Sequence, residues 1–246
     1  PDCSMTMRTL PERLSPTAPD DPPAAQATGR KPGRPKGVQS TQTRARILDA
    51  AEQLFADRGY DGTSIRDVAA AADLQIHSIG YHFGPKEQLF DIVVGRRAEI
   101  MTRLRREALA EARERAYPES IPVAQLVRDY VSPFIQSANH GEPGWRNYAA
   151  LMGRLANSPL GTEIIARHYD ETARAYIAEL QRSLAGACPE DVIEGFSALV
   201  AAMLGICAAT GRPERLAGRG ARRRPEDSFE TLVRFHTAGF LALVTP

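Results

Sequence analysis

The stretch LQIHSIGYHFGPKEQLF, Leu74 to Phe90, gathers His77, Tyr81, His82 and Lys86 into one short span. Three chemistries suit such a set. An imidazole can take up and return a proton near neutral pH. A phenol, an imidazole or an ammonium can donate hydrogen bonds to an anionic oxygen. Aromatic rings can also pack against neighbouring helices. Catalysis would need a nucleophile and a base in mutual reach, with a third group orienting the base. No acid stands near both histidines in the sequence, so no catalytic residue is expected here. A surface that grips a polyanion fits the residue types better.

The elements that would position these side chains are helical. In TQTRARILDAAEQLFADRG, Ile47, Ala51, Leu54 and Phe55 recur at helical spacing, Ser40 or Thr41 can cap the start, and Gly59 can end the helix. TSIRDVAAAAD then offers Ser64 three residues before Asp67, which predicts a capping box opening a short helix. Asp73 marks a turn. Ile76, Ile79 and Phe83 follow at intervals of three and four, giving a second short helix. Pro85 opens the next helix at a first-turn position, where its missing N–H costs nothing, and the pattern runs to about Arg115. Its first half carries Leu89, Phe90, Val93, Ile100, Met101 and Leu104, whereas its second half, RLRREALAEARER, is mostly charged. Further helices are predicted over Val123 to Ala138, Pro143 to Asn157, Pro159 to Ala185, Pro189 to Thr210 and Glu226 to Val244, with GRGARRRPED between the last two a solvated loop. No strand pattern is present, so the fold class is all-α.

The chain's 246 residues are enough to bury a real core. A net charge of +1 conceals a basic front: Arg30, Lys31, Arg34, Lys36, Arg44 and Arg46 stand between Gly29 and Arg46 with no acid among them. Residues 1–39 hold eight of the eighteen prolines and little apolar periodicity, which predicts a disordered tail. Cys3, Cys188 and Cys207 show no CxxC spacing, so neither a disulfide framework nor a metal site is expected. No apolar run reaches the roughly 20 residues of a membrane span, and the front lacks a signal-peptide core. The expectation is a soluble cytoplasmic protein with no cofactor and no membrane partner.

Two short helices joined by a tight turn and flanked by longer ones make the plan of a helix-turn-helix reader. The stretch TRARILDAAEQLFADRGYDGTSIRDVAAAADLQIHSIGYHFGPKEQLF resembles the TetR/AcrR family of transcriptional regulators. The resemblance lies in the Ile-Leu-Asp-Ala-Ala and Leu-Phe of the first helix, the Gly-Thr-Ser before the second, and the aromatic-His-Phe-x-x-Lys close. It spans about fifty contiguous residues. One subgroup, regulators similar to the fatty-acid-responsive PsrA, shares the YHFG-x-KE wording. The resemblance implies a three-helix DNA-binding domain over 40–88, following the tail at 1–39, and a helical ligand-binding and dimerisation domain over 89–246. It places Arg66 within reach of a base or phosphate, Gln75, Ile76 and His77 at the start of the recognition helix, and Tyr81, His82 and Lys86 on the phosphate backbone. Gln suits adenine and Ile76 can touch a thymine methyl. Simple solvent exposure is the alternative for Arg66, Gln75 and His77, core packing for Ile76, and a cap or inter-helix packing for His82. Many relatives carry tyrosine where Gly80 stands, so one contact is missing here.

Three further expectations follow. GRKPGRPKG, Gly29 to Gly37, resembles an AT-hook in which Arg34 would enter a narrow minor groove; a solvated tail is the alternative. Tyr130, Phe134, Trp145, Tyr148, Met152 and Tyr169, with Arg146 and His168 as polar groups, are candidates to line a cavity for a small apolar or aromatic effector; ordinary core packing is the alternative. The apolar last two helices, with Phe196, Val200, Met203, Phe229, Val233 and Phe240, are candidates for a homodimer seam. Taken with the resemblance, whose family acts most commonly by repression, these imply a ligand-responsive dimeric repressor on a palindromic operator of double-stranded DNA. A sequence-tolerant architectural DNA-binder and a helical enzyme are the competing classes.

Overall fold

The computed structural model describes residues 36–140, 143–156, 158–208, 211–218, 220 and 224–244, and among them there is no strand. The all-α expectation holds. The basic stretch around Arg34 lies outside the described residues.

The chain opens with α1 (Lys36–Arg58), α2 (Ile65–Ala71) and α3 (Ile76–Phe83), followed by α4 (Lys86–Ala116). Helix α1 starts at Lys36, four residues ahead of the earliest cap expected, so the first helix takes in the end of the segment read as tail. Ile47, Ala51 and Phe55 of α1, Val68 and Ala69 of α2, Ile79 and Phe83 of α3, and Leu89, Phe90 and Val93 of α4 are all buried in one core. Each large side chain fully removed from water contributes about 1.5–3 kcal/mol. Phe55 and Phe90 meet edge to face at 4.7 Å, with Tyr60 5.0 Å from Phe90.

Local signals set the two short helices. Ser64 forms the expected capping box: its hydroxyl accepts from the Asp67 amide at 3.1 Å, and its own amide donates to the Asp67 carboxylate at 2.9 Å. The Ser64 hydroxyl also donates to that carboxylate at 2.6 Å, and this bond, with the one from the Ser64 amide, holds the Asp67 carboxyl below its usual range. Ser64→Ala is expected to cost about 1 kcal/mol of stability in chemical denaturation. The α2–α3 turn is a Schellman motif. Asp73 takes a left-handed φ of 52°, its amide donates to Ala70, and the Leu74 amide donates to Ala69 at 2.9 Å. Pro85 stands at the N-cap of α4, one place before the first turn, and Lys86 begins that turn.

The remainder comprises α5 (Val123–His140), α6 (Pro143–Leu155), α7 (Pro159–Ser183), α8 (Pro189–Cys207), the short α9 (Arg212–Leu216), a 3-10 turn over Pro225–Ser228 and α10 (Phe229–Ala242). The stretch expected as a solvated loop, 218–227, ends in that 3-10 turn because Asp227 caps the Arg224 amide at 3.0 Å and Arg224 pairs with Glu226 at 2.6 Å. Helix α4 runs unbroken past the expected boundary at 88. Phe90 and Val93 pack in the three-helix head, and Met101 and Leu109 in the larger body.

Head and body are joined by a buried ion cluster. Glu52 of α1 is 1% exposed and receives both arms of Arg97, at 2.6 and 2.9 Å, with Arg96 adding a contact at 3.0 Å. The Arg97 guanidinium also lies 4.8 Å from the ring centre of Trp145 on α6. Asn147 of α6 donates to Gln53 of α1 at 2.5 Å. Helix α6 can come this close because residue 144 is glycine: a Cβ there would collide with Arg97 and Glu52.

Candidate nucleic-acid interface and effector cavity

Helix α3 divides cleanly into two faces. Ile79 and Phe83 are buried, while Ile76 (50% exposed), His77, Gly80 and Tyr81 (86% exposed) form the opposite face. Gln75 is the N-cap with no side-chain cap bond, so its amide group is exposed rather than spent on the helix. Arg66 on α2 is exposed as well. The leading residues therefore project together from a short helix whose rear is anchored in the core. A Cβ added at Gly80 would meet nothing within 4 Å, so the middle of this face is bare backbone.

Two arginines that the sequence marks only as basic charge, Arg44 and Arg46, pin this unit. The Arg44 guanidinium donates to the His82 carbonyl at 3.1 Å and lies 4.4 Å from the Phe83 ring centre. Arg46 donates to the carbonyls of Ala72 and Asp73 at the end of α2. Cations at helix C-termini satisfy free carbonyls and oppose the helix dipole. Their signal is their place on α1, two residues apart and just before the apolar stripe that begins at Ile47.

The residues matched to phosphate contacts differ among themselves. Tyr81 is free to donate. His82 is half-buried, with its ring 5.2 Å from Tyr81 and 6.2 Å from Phe83. Lys86 is also half-buried, its ammonium 4.0 Å from the Tyr60 ring centre. The Tyr60 hydroxyl donates to Glu87 at 2.9 Å, and burial with this acid pushes its pKa up to about 12.

In the body, a cavity of about 920 Å³ opens between α6, α7 and α8, within the range of small-molecule sites. Its lining is mostly small and apolar, with Ala150, Gly153, Ile165, Ile177, Val200 and Leu204 among it, and it includes Arg154 and Asp170. Of the side chains expected to line it, Tyr130 and Tyr169 do so. The others face elsewhere. Phe134, Tyr148 and Met152 are packed in the core. Trp145 faces the Arg97 cluster, and Arg146 is exposed. His168 turns towards α4 and meets Asp91 at 2.9 Å. The reason is helical phase: the aromatic side of α6 points at α1 and α4, and its alanine and glycine side at the cavity. Tyr148 and Tyr169 share a hydroxyl contact of 2.5 Å. Burial keeps both phenols protonated, raising Tyr169 to about 12 and Tyr148 well above its usual value.

The side chains expected at a dimer seam are also redistributed. Phe196, Met203, Val233 and Phe240 are buried within the protomer, and Phe196 and Val200 line the cavity. Phe229 is half-buried beside the Arg128 guanidinium, 5.2 Å from its ring centre. Helices α8 and α10 contact each other through these inner faces. Their exposed faces carry Ile193, Ser197 and Ala201 on α8, the last two also lining the cavity, and Phe235 (74% exposed), Ala238, Gly239 and Leu241 on α10. Among the described residues no cluster of three or more His, Cys, Asp or Glu could hold a metal ion, and no helix is long and apolar enough to cross a membrane.

Comparison with known proteins adds two family matches. Residues 47–93 match the model for bacterial regulatory proteins of the tetR family, and residues 128–239 match the model for a tetracyclin repressor-like C-terminal domain. The HTH-type transcriptional repressor Rv3405c of Mycobacterium tuberculosis is 45% identical over 73 residues, covering 29% of this chain and 39% of that protein. The HTH-type transcriptional repressor KstR2 of Rhodococcus jostii is 38% identical over 73 residues, covering 30% of this chain and 31% of that protein. The matches thus span between about a third and two fifths of these relatives. Among solved structures, HlyIIR, a hemolysin II transcriptional regulator, shares the fold with a TM-score of 0.56 at 19% identity, over 84% of this chain and 99% of that one.

Proposed function

This chain belongs to the tetR family of bacterial regulatory proteins, and on that premise we propose that it is a dimeric transcriptional repressor released from a palindromic operator by a small, largely apolar effector. The observation that carries the reading is the exposed front of α3. Gln75, Ile76, His77 and Tyr81 project from a helix whose back is locked by Ile79, Phe83 and Arg44. Such a rigid, short helix suits the major groove, with its leading residues on base edges. Arg66 and Lys86 then flank it as phosphate contacts, and His82 adds a ring nitrogen from its half-buried place. The protein would act in the bacterial cytoplasm, where the operator is.

The test separates a repressor from an architectural binder. Duplexes are selected from a random pool, and the best is competed against random DNA at one stated salt concentration. A specificity ratio of roughly 10³ or more is the expected result, and a ratio near one would favour the architectural reading.

Dimerisation brings two reading heads onto successive turns of the duplex, about 34 Å apart. The outer faces of α8 and α10 supply the apolar surface for it. Phe235→Glu is expected to shift the sedimenting species from dimer to monomer and to weaken operator binding, because a charge would replace the most exposed aromatic of that face. The basic arm around Arg34 adds sequence-tolerant affinity. Removing residues 1–35 should lower affinity for selected and random duplexes alike and flatten the salt dependence.

We read the chain as an arm, a reading head and a sensor body, with α4 shared by the last two. The finer kinship with PsrA-type regulators rests on the wording of Tyr81 to Glu87 alone and concerns only the class of effector.

A further inference from the structure

We propose that the cavity selects an amphipathic anion, an apolar or aromatic body bearing one carboxylate, and that the charge which selects it is Arg105. The proposal rests on the effector-cavity reading above and specifies its ligand. Arg105, on α4, is 1% exposed. Its Nε donates to the Tyr130 carbonyl at 2.8 Å, and Nη2 points to the Met203 sulfur at 3.6 Å. The guanidinium lies 3.8 Å over the Tyr130 ring and 5.9 Å from the Tyr169 ring centre. Among the described residues it has no carboxylate within ion-pair distance. A carbonyl, a thioether and ring faces stabilise a cation in part, but a buried charge without its opposite remains costly. The same helix shows the contrast, since its other buried arginine, Arg97, is matched by Glu52 at 2.6 Å.

Tyr130 supplies the second observation. It is 4% exposed and lines the cavity, and its hydroxyl has no hydrogen-bond partner among the described residues. The wall therefore offers an unspent donor on the very ring that carries the unbalanced cation. In a medium of low dielectric constant both act more strongly than they would in water. A carboxylate accepting from the Tyr130 hydroxyl would balance Arg105 across the ring, while the apolar lining holds the rest of the molecule. The rim does not set this preference. Arg154 is exposed and screened by solvent, and Asp170 is engaged by Arg174 at 2.8 Å.

The experiment uses three probes that share one tail: 4-phenylbutanoate, 4-phenylbutan-1-ol and 4-phenylbutylamine. Their affinities for the full chain are measured by titration calorimetry at neutral pH. The carboxylate is expected to bind about ten-fold or more tightly than the alcohol, with the amine weakest. In Arg105→Gln this preference should vanish while alcohol binding persists. Tyr130→Phe should reduce it several-fold and keeps the test available if Arg105→Gln does not fold. Equal or tighter binding of the alcohol by the wild-type protein, or a preference that survives both substitutions, would overturn the role of Arg105 and leave the cavity as an effector site. Binding of none of the three would overturn both readings.

Discussion

Replacing Gln75 and His77 together by alanine is expected to lower affinity for the selected duplex by about a hundredfold or more, and affinity for random duplex only slightly. Each good side-chain contact to a base edge is worth about 1–3 kcal/mol of discrimination. Both residues stand exposed at the leading end of α3, with neither used by the fold itself: Gln75 makes no cap bond and His77 has no buried contact. The double variant should therefore keep its stability. Lys86→Ala is the useful contrast. A phosphate contact carries no sequence information, so its loss should weaken both duplexes equally and reduce the salt slope by about 1. Competition titrations at two salt concentrations distinguish the two patterns.

The largest expected effect on folding lies at the joint of head and body. Glu52→Ala should destabilise the protein by about 3–5 kcal/mol, because Arg97 would remain buried with its carboxylate gone and Arg96 would lose one of its two acids. Asp49→Ala removes only the exposed acid of the same cluster, 2.7 Å from Arg96, and should cost no more than about 0.5 kcal/mol. Urea denaturation of the two variants gives the comparison. A similar small loss for both would mean that Glu52 contributes no more than a surface ion pair. The cluster also bears on signalling. Helix α6 lines the cavity with one face and meets Arg97 and Gln53 with another, so an effector that favours a different placement of α6 would act directly on α1. A ligand shifts such an equilibrium only by its difference in affinity for the two arrangements.

The reading head was legible in the sequence because its signals are local. Ser64 and Asp67 form a capping box within three residues, Asp73 takes the left-handed turn, and Ile76, Ile79 and Phe83 mark one helical stripe. Helix α1 is located by the same kind of stripe, but its first four residues, Lys36 to Gln39, hold Gly37 and a single apolar residue, Val38, and so carry no helical period of their own. The body was legible as a series of helices but not as a site. Tyr148 and Met152 are as apolar in sequence as any cavity wall; what assigns them to the core is the rotation of α6 against α1, a property of tertiary packing. Phe196 and Phe240 misled in the same way, since an apolar helix does not announce which of its faces a second protomer would cover.

Arg105 is the instructive omission. The run RLRREALAEARER is mostly charged, and its composition singles out no inward-facing residue. Yet Met101, Arg105, Leu109 and Ala112 recur at four, four and three residues, and all four are buried. Periodicity placed this arginine on the inner stripe, where its chemistry alone argued for the outer one. An ionisable residue in phase with apolar neighbours can signal a ligand site that composition hides.

Reading of one duplex by two copies of the exposed α3 front can be seen by footprinting the wild-type chain on its selected duplex while measuring the stoichiometry of the complex. Two protected half-sites in inverted repeat are expected, centred about one helical turn apart, with an even number of protomers per duplex. A single protected site bound by one protomer, or uniform protection without sequence preference at moderate ionic strength, would contradict it.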